Sequence, residues 1–156
     1  MSKLIAWIEQ ATPEKFFWGE TGNLFIYDDC LIWSAPDKRS KRARIFALRD
    51  AGAPLREFGF KQAELSAEEV LATSEKNWRV DLAAIEHLWY YGFDTSGESW
   101  YTQGPTGPVR YYSVVEIHLV DGSKRKLKLR RFEEPDRPAL GRFRDLLGER
   151  VSLGKP

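Results

Sequence analysis

Two histidines and two glutamates sit where strand geometry can bring them together: His87 beside Glu86, and His118 two residues from Glu116. A metal site built from these four requires adjacent strands and matched faces; otherwise both imidazoles are ordinary surface groups. No Gly-x-Ser-x-Gly elbow, phosphate-cradling Walker loop or dinucleotide fingerprint occurs in the sequence. The serines of Thr95-Ser-Gly-Glu-Ser have turn composition around them and no base beside them. Asp28-Asp29 and Glu133-Glu134 are adjacent pairs, which face apart on a strand and suit turns and helix starts. The residues therefore assemble no catalytic set and imply no cofactor and no metal. The expectation is a non-catalytic protein; an enzyme whose residues meet only in three dimensions stays open beside it.

The cations are the stronger lead. Lys124, Lys126, Lys128 and Arg130 recur at every second residue, while Leu127 and Leu129 take the other face with Arg125 and Arg131. On a strand that pattern sets four cations on one face about 6.5–7 Å apart, a spacing that matches phosphates on a membrane or a nucleic acid. The plainer alternative is an edge strand guarded by lysines. A second basic cluster holds Lys38, Arg39, Lys41, Arg42 and Arg44. Aromatic residues gather at Trp89, Tyr90, Tyr91, Phe93, Trp100, Tyr101, Tyr111 and Tyr112. Strands select such side chains for cross-strand packing, and cations interleaved with exposed rings also read single strands. Trp89 and Tyr91 share one face and Tyr90 the other, so an exposed pair there is a candidate protein-docking patch.

The elements that position these groups read mainly as strands. The tract Arg110–Val120, then Asp121-Gly122, then Ser123–Arg131 is a strong hairpin signal, with both turn residues expected at positive φ. Its first strand puts Val115, Ile117 and Leu119 on one face and Val114, Glu116 and His118 on the other, so His118 points outward and meets Glu116 only obliquely. A helix follows, with Asp136 as N-cap, Pro138 in the first turn, an apolar stripe of Leu140, Phe143, Leu146 and Leu147, and Gly148 as left-handed cap. Earlier, Leu24–Tyr27 and Cys30–Ser34 flank Asp28-Asp29 as a second hairpin. At the N-terminus Leu4, Ile5 and Ile8 pack a short element onto the body, and Thr12-Pro13-Glu14 predicts a helix start. Ser66-Ala-Glu-Glu is a capping box, Ser74–Asn77 a turn, Trp78–Asp81 a strand, and Ile85–Phe93 another. Between Lys38 and Glu64, helical spacing through Leu48 is broken by Gly52, Pro54 and Gly59, which suggests an irregular or helical insertion.

At 156 residues, 42% hydrophobic and 30% charged, the chain fits one domain with its own core. The net charge of +1 carries no argument about partners; only its distribution does. Cys30 is the single cysteine, so no internal disulfide forms and a buried thiol in a reducing compartment is expected. With no signal peptide and no long apolar run, the expected location is the cytoplasm.

Paired strands early, a later meander, an Asp-Gly hairpin and one closing helix resemble a pleckstrin-homology-like barrel, most closely those of small bacterial proteins. The residues that carry this are Glu68-Glu69-Val70-Leu71-Ala72, Lys76-Asn77-Trp78, Ile85-Glu86, Val120-Asp121-Gly122-Ser123-Lys124 and the helix ending Leu147-Gly148. The resemblance implies a single α+β domain over 1–156: a strongly bent antiparallel sheet or partly open barrel capped by a C-terminal helix. It also implies an interaction module rather than a catalyst. Lys38 with Arg42-Ala43-Arg44 fits the loose spacing of phosphoinositide-binding members, although here it follows the second strand instead of bridging the first two. The expected partner is a protein, with an anionic lipid surface, a nucleic acid or a second copy of the chain as the other candidates. The residues expected to bind are Lys124, Lys126, Lys128, Arg130, Lys38, Arg42, Arg44, Trp89 and Tyr91.

Overall fold

A computed structural model of the chain describes residues 2–13, 22–35, 48–50, 66–94, 111–131 and 138–156. The chain opens on β1 (Leu4–Pro13), which pairs antiparallel with β2 (Gly22–Tyr27) from Leu4 to Ala11. Its other edge is divided, Ala6–Ile8 pairing with β4 (Leu48–Asp50) and Ala11–Pro13 with β8 (Lys124–Arg131). Ile8 is buried, and Leu4 and Ile5 pack partly buried against the core, as expected. The helix expected at Thr12-Pro13 does not begin there. Both residues end β1, opposite Lys128 and Leu127, and the proline's missing N–H is tolerated at a strand end.

The hairpin of β2 and β3 (Cys30–Ser34) turns at Asp28-Asp29. There Lys3 N donates to the Asp28 carboxylate at 2.8 Å and Ser2 Oγ to that of Asp29 at 2.8 Å. Both strands are buried at every residue because both of their faces are covered. On the outside, Trp7, Phe25, Tyr27, Cys30 and Ile32 pack against Ala67 and Val70 of α1 (Ala67–Ala72). The expected capping box starts that helix: Glu69 N donates to Ser66 Oγ, and Ser66 N donates to the Glu69 carboxylate. Within the expected insertion, Leu48 lies in the strand β4 and not in a helix; Lys38, Arg42 and Arg44 lie outside the described residues.

Next come β5 (Trp78–Asp81), which pairs with β3, a 3-10 turn at Leu82–Ala84, β6 (Ile85–Asp94), β7 (Tyr111–Leu119) and β8. The helix α2 (Pro138–Leu147) begins at Pro138 and ends at Gly148, whose φ of 58° is the expected left-handed cap; Asp136 lies outside the described residues. The chain then adds a strand that the sequence reading lacks, β9 (Val151–Leu153), parallel to β6. Arg150 guides it there, its guanidinium donating to the carbonyls of Leu82 and Ile85 at 2.8 and 2.9 Å.

The strand order is β5-β3-β2-β1-β8-β7-β6-β9, with β4 beside β1. Among the described residues it forms two four-stranded sheets joined where β1 meets β8, and it stays open because β5 and β9 end the path. The protein is therefore α+β with a C-terminal helix, as expected, except that β6–β9 is a parallel pair. The interior holds Ile8, Leu24, Leu31, Leu88, Tyr90, Val115, Ile117, Leu127 and Leu129, and α2 fills it with Ala139, Leu140, Phe143 and Leu147. The guanidinium of Arg125 on β8 lies 5.2 Å from the ring of Trp78 on β5.

Asn77 ties three elements together. Its Oδ1 accepts from Ala35 N at 2.8 Å, and its Nδ2 donates to Val70 O at 2.9 Å and to Thr73 Oγ1 at 2.9 Å. Replacing it with alanine leaves these groups without the amide, so Asn77→Ala is expected to lose about 2–3 kcal/mol in urea unfolding. Cys30 is fully buried, and burial first, then the neighbouring Asp29, pushes its thiol up to about 12. It is expected to ignore a thiol reagent in the native protein and to react fully in denaturant; modification without unfolding would contradict its placement.

Candidate functional site

Strand register decides which polar side chains meet. Across β6, β7 and β8 the rows are His87–His118–Lys124, Trp89–Glu116–Lys126, Tyr91–Val114–Lys128 and Phe93–Tyr112–Arg130. Residues opposite one another share a face. The alternate residues Leu88, Tyr90, Val115, Ile117, Leu127 and Leu129 belong to the core, so the first three rows line the outer face of the second sheet. Lys124, Lys126 and Lys128 thus join Trp89 and Tyr91 on one surface, with β7 between the two columns, and Arg130 holds the next register position.

Glu116 is the centre of that surface. It is only 4% exposed, yet its carboxylate accepts from His118 Nε2 at 2.6 Å, Lys126 Nζ at 3.2 Å and the Tyr91 hydroxyl at 3.3 Å. The His118 contact corrects the expectation of an oblique approach: two residues on one strand face meet directly. Burial pushes the Glu116 carboxyl upward, but the hydrogen bonds and charges of His118 and Lys126 outweigh it and hold the group below its ordinary range. Glu116 is absent from the binding residues expected from sequence, although its place opposite Lys126 follows once the hairpin register is known.

The second histidine has different company. His87 Nε2 lies 2.7 Å from Ser152 Oγ on β9, and its ring sits 4.5 Å from that of Trp89, tilted by 46°. Lys155 Nζ lies 5.8 Å over the Tyr91 ring. Although β6 and β7 are adjacent and His87 is opposite His118, the four-residue metal set does not form. A register shift between Ile85 and His87 leaves Glu86 as an unpaired, exposed residue. Among the described residues no cluster of three or more His, Cys, Asp or Glu side chains is arranged for a metal. The Ser152–His87 and His118–Glu116 contacts also fall on separate imidazoles, whereas a nucleophile–base–carboxylate relay needs both on one ring.

A carboxylate held below its unfolded value stabilises the fold above that value and loses its contribution as pH falls through the folded one. Glu116→Gln, which leaves Lys126 without a counter-charge and His118 without its carboxylate partner, is expected to cost about 1–3 kcal/mol at neutral pH. The gap between wild type and variant should shrink as unfolding is repeated at acid pH below about 4. Equal stability of the two proteins across the whole range would show that the network carries no energy.

Comparison with known proteins supplies no relative from which to transfer a role: no family model, no curated protein and no solved structure matches this chain.

Proposed function

We infer that this chain is a non-catalytic interaction module of pleckstrin-homology-like type, which docks a protein partner on the outer face of its second sheet. The observation that carries the reading is the row Trp89–Glu116–Lys126 with its neighbours Lys124, Lys128 and Tyr91. Sequence-distant cations and rings share one side of the sheet around a buried carboxylate. The fold-family part draws support from the topology. Among the described residues, and without β4 and β9, seven strands remain in two antiparallel meanders joined through β1 and β8, with α2 against the interior. The resemblance implies a strongly bent antiparallel sheet or partly open barrel with a C-terminal helix, and this topology accords with that. A surface module also accords with the two separate histidine contacts, neither of which completes a relay. Among the described residues, no helix is long and apolar enough to cross a membrane.

The test is a charge reversal on the face. The double variant Lys126→Glu/Lys128→Glu is expected to lose a protein that the wild-type chain captures from its native lysate. Arg144→Glu, on the exposed side of α2, should keep it. Circular dichroism checks that both variants fold. Retention of the captured protein by the double variant would move the docking surface elsewhere. Sedimentation with anionic vesicles, lost in the double variant, would replace the protein partner by a lipid surface.

A further inference from the structure

Contacts within the face narrow the kind of partner it suits. The Trp89 ring leans on His87, and Tyr91 has Lys155 over its ring while its hydroxyl donates to Glu116. Each ring already has a companion within the chain, whereas base readers present open rings. The cations are more open, although Lys126 is itself paired with Glu116. Lys124 and Lys128 are exposed, and Lys126, its side chain 39% exposed, lies between them above Glu116. They repeat every second residue of β8, about 6.5–7 Å apart, which is also the repeat of same-side residues in any extended peptide.

The mode of contact follows from the pairing of β8. It is bonded to β7 from Lys124 to Arg131 and to β1 at Leu127–Leu129, so both edges are taken at Lys128, and a segment that spans the whole row lies over the side chains instead of extending the sheet.

We propose that the outer face of β8 receives an extended acidic segment of a partner protein, its carboxylates at alternate residues seated along Lys124, Lys126 and Lys128. This rests on the docking reading above and specifies its ligand. Charge complementarity supplies the attraction and the shared period of two supplies the selectivity.

The experiment is fluorescence anisotropy on the full chain with two labelled synthetic peptides of identical composition. One alternates glutamate with threonine; the other gathers its glutamates in a block, so that half point away in the extended form. The alternating peptide is expected to bind about tenfold more tightly than the block. The variant Lys124→Ala/Lys128→Ala should weaken it about tenfold and remove the difference between peptides. Equal affinity for both peptides overturns the proposal, as does indifference to the variant. Tighter binding of a labelled oligothymidylate or of phosphatidylserine vesicles overturns it in favour of a nucleic acid or a membrane. If neither peptide binds while the captured protein still depends on Lys126 and Lys128, the extended acidic segment is wrong and the docking face stands. If neither dependence is seen, both fail.

Discussion

The architecture depends on how the edges of β1 are shared. One edge is given to β2 from Leu4 to Ala11, while the other passes from β4 at Ala6–Ile8 to β8 at Ala11–Pro13. Register shifts in β1 fall at Leu4/Ala6 and at Glu9/Ala11, the second just where the partner changes. A bulge bends a strand and increases its twist, so the β8 ladder leaves β1 in a different direction from the β4 ladder. One continuous hydrogen-bonded path thereby becomes two sheets with a shared interior. β1 supplies Ala6, Ile8 and Ala11 to that interior, the bulge restoring the inward phase for Ala11.

Once two sheets exist, their faces meet different fates. The inner faces are covered by one another and by α2, and the outside of the first sheet is covered by α1. That double cover explains why β2 and β3 are buried at each position and lack the alternation of a half-solvated strand. The outside of the second sheet alternates instead, with lysines, histidines and Glu116 between the core residues. Burying a carboxylate there costs several kcal/mol unless donors converge on it. Three do, from β6, β7 and β8, so the same groups that satisfy Glu116 are held in place on the surface.

What could be read from the chain beforehand was what is local. The Asp28-Asp29 hairpin, the Ser66 capping box and the α2 stripe each depend on residues a few positions apart, and each is present. The misses are non-local. Thr12-Pro13 carries a helix-start signal, but pairing with β8, more than a hundred residues later, claims it for a strand. β4 and β9 have three residues each, too few to show a period, and exist because β1 and β6 offer open edges. The cation and ring columns were visible as alternations, whereas their meeting around Glu116 required three strands in register.

That register is set by a single residue of loop length. A two-residue Asp121-Gly122 connection would put Glu116 opposite Leu127, forcing a carboxylate and a core leucine onto one side. The observed loop uses residues 120–122. Leu119 N bonds to Ser123 O at 2.9 Å, Gly122 N to Leu119 O at 3.0 Å, and Gly122 has a φ of 89°. This is the three-residue arrangement, a tight turn closed by a left-handed glycine. It centres the hairpin on Asp121, whose carboxylate accepts from Ser123 N and Oγ, so that Glu116 faces Lys126 and Val115 faces Leu127. The amphipathic pattern of both strands thus selects the longer loop over the shorter one that the Asp-Gly pair suggests. The same selection puts the buried carboxylate under the middle cation of the row, so core packing and surface charge are decided by one count.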